Sequence, residues 1–329
     1  MVLLDRERRT YRGNLHLHST RSDGAYAPGD VVRAYRARGY DFVCLSDHEV
    51  YFNADTYDRP DFLVLAGYEM ACEMSRRETG QQYHVHGLLD PSLRPARPFN
   101  HDEAHAKPAY RNLATVQAMM DEMHRRGNAL VMNHPDWSRN RFEDLLHLDG
   151  YFAIEIYNHQ CEVAEASGYA LSWWDYLLQR GRRVFGVAAD DAHRGPMDTA
   201  VSEFFGGWVG VQAERFDQRE IVRALVEGRS YSSQGPEIHD LRVKEGELRV
   251  QCSPVRFIRF IPYPAVGRSF SNPDGSPLET ARYRLQGDEL YVRVECVDAD
   301  GRVAWSNPVF GADLPPDEAR ASAKEGQNE

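Results

Sequence analysis

Residues 15–24 read LHLHSTRSDG. The first five of them end the first apolar segment of the chain, Gly13–Ser19. His16 and His18 are two residues apart, so on an extended strand both imidazoles point to one face while the neighbouring leucines point to the other. Two imidazoles on one face can bind a single metal ion, although the pattern alone is equally compatible with a surface pair. Asp23 follows five residues later in the turn SDG, from which its carboxylate can reach the same point.

Six more short apolar segments precede residue 194. They are Asp41–His48, Asp61–Met70, Tyr83–Leu89, Asn128–Pro135, Tyr151–Asn158 and Arg183–His193. Several are continuously apolar, which is typical of parallel strands covered on both faces. Helical patterns at Pro28–Gly39, Pro108–Gly127 and Ser172–Gly181 separate many of them. Strands that alternate with helices predict a β/α barrel or a related α/β fold.

Polar groups able to bind a metal lie at the ends of six of these seven segments. Beyond the first segment they are His48, Glu69, His84, His86, His134, Asp190, Asp191 and His193. In a β/α barrel the carboxyl ends of the strands meet on one face, where active sites lie. Taken singly, each histidine is more simply read as a packed core residue and Glu69 as a solvated carboxylate. Their joint occurrence favours a centre of Zn, Mn or Fe with nitrogen and oxygen ligands.

The pattern changes after residue 200. Gly207–Gln212 and Gln218–Gly228 predict one more strand and helix, and from about Pro236 short strands with turns predict an antiparallel sheet or small sandwich. The end of the chain is polar and lacks aromatic residues, which predicts disorder. We therefore expect a hydrolase barrel over residues 1–235, a β-rich domain over 236–312 and a disordered tail over 313–329.

Composition narrows the class of protein. The chain has 329 residues, 42% hydrophobic and 27% charged, which is a globular composition. Its net charge of −11 argues against sequence-independent binding to nucleic acid. No segment approaches the roughly 18 apolar residues of a spanning helix, and the start lacks a signal-peptide pattern. The five cysteines are far apart, as in a reduced protein. We expect a cytoplasmic protein that binds a small-molecule substrate, with neither membrane nor nucleic acid as partner; its oligomeric state stays open.

The motifs LHLHSTRSDG, LSDH, GYE, HVHG, NHP and DAH resemble, in order and spacing, the polymerase-and-histidinol-phosphatase (PHP) superfamily over about residues 11–235. The resemblance implies a distorted seven-stranded β/α barrel that holds two or three divalent transition-metal ions. The later segments GRSYSSQGP and AWSNPVF resemble more loosely the branch that contains carbaryl- and carbamate-hydrolase-type enzymes.

The same resemblance implies which residues hold the ions. The first ion would lie among His16, His18, Glu69 and Asp191; Glu69 would bridge to a second ion held by His84 and His134; Asp23, His48 and His193 would hold a third. His84 is preferred to His86 because the family ligand lies three residues before a glycine, here Gly87. His86 would then face the mouth as a substrate contact or simply pack, and Asp47 and Asp190 would orient imidazoles.

The resemblance also implies a metal-dependent phosphoesterase, with a metal-bridging hydroxide as nucleophile and Glu69, Asp191 and His193 as the catalytic ligands. Arg194, next to the last ligand, is the favoured clamp for a substrate anion, ahead of Arg21, Arg139 and Arg141. His159 is a candidate to protonate the leaving group. Hydrolysis of a carbamate, amide or carboxylic ester is the alternative, and a metal-binding module without activity is a second one.

One further motif contains residue types that can bind a metal. Residues 101–105 read HDEAH, which is similar to a zinc-protease helix, but its glutamate is misplaced and Pro98 and Pro108 flank it. We expect a loop that covers the mouth of the barrel.

Overall fold

The computed structural model describes residues 1–51, 57–73, 80–93 and 104–314. These residues form a mixed α/β structure with three sheets and six α-helices. Asp313 closes a short 3₁₀ turn, Gly311–Asp313, and the remaining tail prediction lies outside the described residues, as does most of the loop expected at 101–105. Within the described ranges, no helix has the length and apolarity needed to cross a membrane.

The first nine strands precede residue 190. They are β1 Val2–Leu4, β2 Tyr11–Asn14, β3 Phe42–Cys44, β4 Leu63–Leu65, β5 Gly67–Glu73, β6 Gln82–Leu89, β7 Asn128–Met132, β8 Tyr151–Asn158 and β9 Phe185–Ala189. Strands β2 to β9 belong to the two sheets that meet at the predicted site. The later strands are β10 Trp208–Val211, β11 Ser230–Ser233, β12 Ile238–Lys244, β13 Glu247–Val255, β14 Phe257–Tyr263, β15 Arg268–Phe270, β16 Leu278–Arg284, β17 Tyr291–Val297, β18 Val303–Ser306 and β19 Val309–Phe310.

Four of the six described helices correspond to predicted ones. The six are α1 Pro28–Ala37, α2 Leu113–Arg125, α3 Phe142–His147, α4 His159–Glu165, α5 Leu171–Gln179 and α6 Gln218–Val226. Helices α1, α5 and α6 begin within one residue of the predicted position, whereas α3 and α4 were not predicted. In α2 the start moves from Pro108 to Leu113, because the Asn112 side chain accepts a hydrogen bond from the Thr115 N–H and caps the helix there. Its buried face, which includes Val116 and Met120, packs in the same apolar cluster as β6 and β7.

The expected seven-stranded barrel is not formed as a single closed sheet. Strands β2, β3 and β4 pair in parallel at one end of a ten-stranded sheet, whereas β5 to β9 form a separate five-stranded sheet. Only eight residues separate β5 from β6, too few for the crossover that a parallel pair needs, so β6 runs antiparallel to β5 and also to β7. Isolated parallel bridges, Leu17 to Ala192 and His48 to Glu69, connect the two sheets.

The C-terminal segment has the antiparallel pairing that its alternating sequence predicted. Strands β1, β12, β13 and β16 form a four-stranded sheet. Strands β14, β15, β17 and β18 extend the ten-stranded sheet, which therefore holds strands from both sides of residue 235. The two sheets share an apolar core, in which the rings of Phe260 and Tyr283 stack with centroids 5.6 Å apart.

A buried ion pair fastens β17 to α5. Both Nε and Nη2 of Arg293 donate to the Asp175 carboxylate, at 2.9 and 2.8 Å, and Nη1 donates to Glu295 at 2.7 Å. Only 4% of the Arg293 side chain is exposed. Burial opposes its charge, yet the Asp175 and Glu295 carboxylates raise the pKa of Arg293. The guanidinium is therefore charged and fully partnered.

Replacing Arg293 with leucine should lower the free energy of unfolding by about 3–5 kcal/mol, because two carboxylates would then lose their buried counter-ion. Urea unfolding followed by circular dichroism measures this loss. Arg302→Leu, which removes an exposed pair with Asp298, is the control and should cost less than about 1 kcal/mol. Equal losses in the two variants would contradict the assignment.

Candidate metal centre

The nine predicted ligands lie within or shortly after several strands and meet where the two sheets join. Strand β2 ends at Asn14, so His16 and His18 lie just beyond it rather than within it. Leu17, between them, bridges to Ala192 after β9, and this bridge sets the two histidines beside Asp191. Glu69 lies within β5 and is placed by its own bridge to His48. His84 is the third residue of β6, whereas His134 follows β7 and His193 follows β9.

Two carboxylates occupy the middle of the cluster. The side chains of Glu69 and Asp191 are 1% and 6% exposed. Nε2 of His16 lies 3.0 Å from Asp191 Oδ1 and 3.4 Å from Glu69 Oε1. Nε2 of His18 lies 3.1 Å from the same Asp191 oxygen and 3.5 Å from Glu69 Oε2. One nitrogen from each ring and one oxygen from each carboxylate lie within 4.8 Å of one another and so surround a common point.

The spacing of these atoms is that of ligands on one ion. Two donors that each lie about 2.1 Å from a tetrahedral or octahedral ion are about 3.0–3.4 Å apart. Glu69 Oε2 and Asp191 Oδ1 are buried and, within the described structure, make no hydrogen bond. The nearby ring nitrogens of His16 and His18 lie 3.0–3.5 Å from them. Buried oxygens without partners are costly. A cation at the common point would satisfy both of them, so the residues fit a divalent metal.

Glu69 also faces three further imidazoles. Its Oε1 lies 3.2 Å from His84 Nδ1 and 3.3 Å from His134 Nε2, so this carboxylate is shared between the first group and a second one. His48 Nδ1 lies 3.0 Å from the other oxygen. This arrangement is the one a bridging carboxylate requires.

A third group of donors lies nearer the solvent. Asp23 Oδ1 is 3.5 Å from His193 Nε2 and 3.6 Å from His18 Nδ1, and Asp23 Oδ2 is 3.9 Å from His48 Nε2. The turn that carries Asp23 is fixed by Asp47, which accepts hydrogen bonds from the backbone and hydroxyl of both Ser19 and Ser22. Asp47 therefore holds a turn, whereas the sequence predicted that it orients an imidazole.

The surroundings favour positive charge at the centre. Burial opposes a charge on His16, but the carboxylates of Asp191, Glu69 and Glu155 raise its pKa well above the usual value. Burial likewise opposes the charge on Glu69, and the imidazoles of His16, His84 and His48 nevertheless hold its pKa well below the usual value. His18 differs, because burial and the nearby His193 lower its pKa to about 4. The carboxylates stay ionised and need a cationic partner.

A cavity of about 320 Å³ opens over the cluster. Seven of the nine predicted ligands line it, together with Trp137, Gln160, Arg194 and Glu203. Arg194 is exposed, and its backbone N–H and that of His193 donate to Glu203 at 2.7 and 2.9 Å. The less favoured arginines, Arg21, Arg139 and Arg141, are not among the described residues that form this wall.

His159 does not face the cavity. It begins α4, its Nδ1 lies 2.8 Å from the Tyr157 hydroxyl and its Nε2 lies 3.0 Å from the Ser202 carbonyl oxygen. Both ring nitrogens are thus engaged away from the metal cluster, and His159 is not among the described lining residues. The placement does not favour the leaving-group role expected from sequence.

His86 takes the packing alternative of the two expected for it, and Asp190 has other partners than expected. His86 is buried with its Nε2 3.3 Å from Cys44 Sγ, so it packs rather than facing the mouth. Asp190 accepts hydrogen bonds from the Tyr35 hydroxyl and from the backbone of residues 205–207, so it holds a loop rather than an imidazole.

Sequence reasoning missed Glu155, which lies within β8. Its Oε1 is 2.6 Å from Nδ1 of His16, and the side chain is buried. The signal was present, because a carboxylate flanked by Ile154 and Ile156 in an otherwise apolar strand is costly unless it has a partner. Asn133 was also missed; it donates to Glu69 Oε1 at 2.6 Å.

Comparison with known proteins gives limited similarity. No family model matches the sequence, and no curated protein matches it. A solved two-domain protein from Bacteroides vulgatus, described as containing a predicted PHP-like metal-dependent phosphoesterase, has 15% identity and a TM-score of 0.49, with 93% of this chain and 96% of that chain covered.

Two further structures are similar over smaller parts of the chain. A candidate metal-dependent phosphoesterase from Bifidobacterium adolescentis has 13% identity and a TM-score of 0.39, covering 54% of this chain and 86% of its own. An amidohydrolase from Chromobacterium violaceum, with bound sulfate and no metal, has 15% identity and a TM-score of 0.41, covering 66% and 96%. Similarity at this level does not establish an activity for this chain.

Glu69→Gln should lower the metal content by at least one ion per chain, because the amide replaces an anionic oxygen that faces two groups of donors. Elemental analysis after purification in metal-replete buffer measures the content. Glu289→Gln is the matched control, since Glu289 is a buried carboxylate that accepts backbone hydrogen bonds from residues 286 and 287. An unchanged metal content in Glu69→Gln would refute the bridging role.

Proposed function

We propose that this protein is a metal-dependent hydrolase of the PHP type that cleaves a phosphoester of a small molecule. The observation that carries the proposal is the cluster of ring nitrogens and carboxylate oxygens, spaced as ligands and open to a cavity on one side. Two or three divalent ions bound there would activate a water molecule and stabilise the charge that develops on the substrate oxygen.

The residues that would hold the ions form three groups. They are His16, His18, Glu69 and Asp191 for the first ion, Glu69, His84 and His134 for the second, and Asp23, His48 and His193 for the third. Donor atoms of His48, Glu69 and His84 also lie within 4.8 Å of one another, so His48 borders the second group as well as the third. Because Glu69 belongs to two groups, it would fix the separation of the first two ions. Asp191 and His193 lie on one short segment after β9, so the same backbone would link the first ion to the third.

The position of Arg194 favours a substrate that carries an anionic group. Its guanidinium is exposed at the wall of the cavity, and the Glu203 carboxylate fixes the backbone from which it extends. A guanidinium binds two phosphate oxygens at once, which both orients the ester and offsets its charge. Trp137 packs edge-on against His134, with ring centroids 5.0 Å apart, and gives this wall an apolar surface for the rest of the substrate.

Hydrolysis of a carbamate, amide or carboxylic ester is the second candidate. The cavity wall includes the Gln160 amide and the Glu203 carboxylate, which can hydrogen-bond a carbamate but add no further positive charge for a phosphate. The C-terminal resemblance to carbamate-hydrolase-type enzymes favours the same candidate. A metal-binding module without activity is the third.

Turnover by the metal-reconstituted protein separates these candidates. We expect hydrolysis of nitrophenyl phosphate or bis-nitrophenyl phosphate at a rate well above that of naphthyl carbamate. The opposite order would establish the second candidate, and metal binding without turnover of any of the three would favour the third.

Arg194→Met should raise KM for the phosphate ester by about 10-fold or more, because hydrogen bonds to charged groups contribute about 1.5–3 kcal/mol each. The ligands are untouched, so kcat should fall less. Arg141→Met is the control, since Arg141 is exposed outside the cavity. Steady-state kinetics with unchanged KM in Arg194→Met would rule out the clamp.

A further inference from the structure

Glu155 contacts three elements of the metal cluster at once. Its Oε1 lies 2.6 Å from Nδ1 of His16, while its Oε2 accepts a hydrogen bond from the backbone N–H of His134 at 2.8 Å. The same Oε2 accepts from the side-chain amide of Asn158 at 3.0 Å, and that amide also donates to Asp191 Oδ2 at 3.1 Å. One buried carboxylate is thus connected to three proposed ligands that come from three different strand ends.

The contact with His16 determines which ring nitrogen can bind a metal. An ionised carboxylate only accepts hydrogen bonds, so Nδ1 of His16 carries the hydrogen. Nε2 is then the nitrogen that can give up its proton and bind a metal, and Nε2 is the atom that lies 3.0 Å from Asp191 Oδ1 and 3.1 Å from His18 Nε2. The hydrogen bond to Glu155 therefore directs Nε2 of His16 toward the centre of the cluster.

The contacts with His134 and Asp191 act on strained backbone. His134 has φ of 25° and Asp191 has φ of 55°, in the left-handed region that non-glycine residues seldom adopt. The N–H of His134 is held by Glu155 itself, and the carboxylate of Asp191 is held by Asn158. These hydrogen bonds offset part of the cost of the strained conformations, which aim both side chains inward.

We infer that Glu155 and Asn158 form a positioning pair that sets His16, His134 and Asp191 in their metal-binding geometry without binding a metal. The inference rests on the proposed function, since it concerns the same cluster. The pair lies on one strand, β8, and its spacing of three residues carries Asn158 to the strand end, where it caps α4 through Cys161 N–H. Helix α4 and the cluster are thereby tied to the same strand.

Charge at Glu155 is required for this role because all three of its partners donate. A glutamine has one acceptor oxygen, so its NH₂ group would face either Nδ1 of His16, which could then no longer carry the hydrogen, or both the His134 N–H and the Asn158 amide, donor against donor. Glu155→Gln preserves size and therefore tests the acceptor pattern rather than the packing. Glu155→Asp keeps the charge but shortens the reach, so it should give an intermediate result.

The test is a titration of metal-free protein with Co²⁺, followed by visible absorption, for the wild type, Glu155→Gln, Glu155→Asp and Asn158→Ala. We expect the wild type and Glu155→Gln to bind the same number of ions, with affinity for at least one ion weaker by about 10–100-fold in the variant. The ligand-field bands should shift in Glu155→Gln, because His16 is no longer fixed. Glu289→Gln is the control and should match the wild type.

The outcomes separate this inference from the proposed function. Unchanged Co²⁺ affinity and spectrum in Glu155→Gln would overturn the positioning role while the proposed function stands. Loss of one whole ion per chain would also overturn it, since Glu155 would then be a ligand. A wild type that binds no Co²⁺ would overturn both. If Glu155→Gln does not fold, Asn158→Ala decides alone: a weaker affinity with unchanged ion number supports the pair, and an unchanged affinity refutes it.

Discussion

Glu69 and Asp191 lie almost without exposure to solvent at the junction of two sheets, and the free energy of placing two ionised carboxylates there constrains everything around them. An uncompensated buried charge costs several kcal/mol, so each carboxylate must face donors or cations. Imidazoles compensate part of the buried negative charge and keep the pKa of both carboxyl groups well below the usual value. The oxygens that make no hydrogen bond within the described structure show where a cation would complete the compensation.

The architecture follows from the same requirement. No single strand can bring enough donors to one point, so the ligands must arrive from several strand ends, and each connection must leave its strand in a suitable direction. Two backbone bridges, Leu17 to Ala192 and His48 to Glu69, bring these strand ends together, because they join the two sheets at the cluster itself. Strand β6 runs antiparallel to its neighbours, so its carboxyl end lies away from the cluster. It contributes His84 from within the strand, near its amino end.

The proximity of the nine groups could be predicted from sequence, because polar residues that end apolar segments at regular intervals meet on one face of an α/β structure. Their function as ligands stays a prediction. The direction of β6 was not predicted, since periodicity reports which face of a strand is buried and not how the strand is paired; the eight-residue connection before it held that information. The orientation of the His159 ring could not be predicted, because a position directly after a strand does not fix where a side chain points once a helix begins there. Glu155 was overlooked because it lies three residues before its strand end.

The positioning network gives the cluster its rigidity. Glu155 accepts hydrogen bonds from the His16 ring and the His134 backbone N–H, and Asn158 donates to the Asp191 carboxylate. Asp47 fixes the turn that carries Asp23. These hydrogen bonds orient the proposed ligands without involving a metal. Such preorganisation lowers the cost of assembling ligands around an ion.

Anomalous X-ray diffraction from crystals grown with Zn²⁺, recorded at the zinc absorption edge, tests the central claim most directly. The account predicts at least two strong peaks, one among His16, His18 and Asp191 and one on the other side of Glu69, each about 2.0–2.2 Å from its nitrogen and oxygen ligands. Peaks confined to surface carboxylates, with none in contact with Glu69, would contradict it.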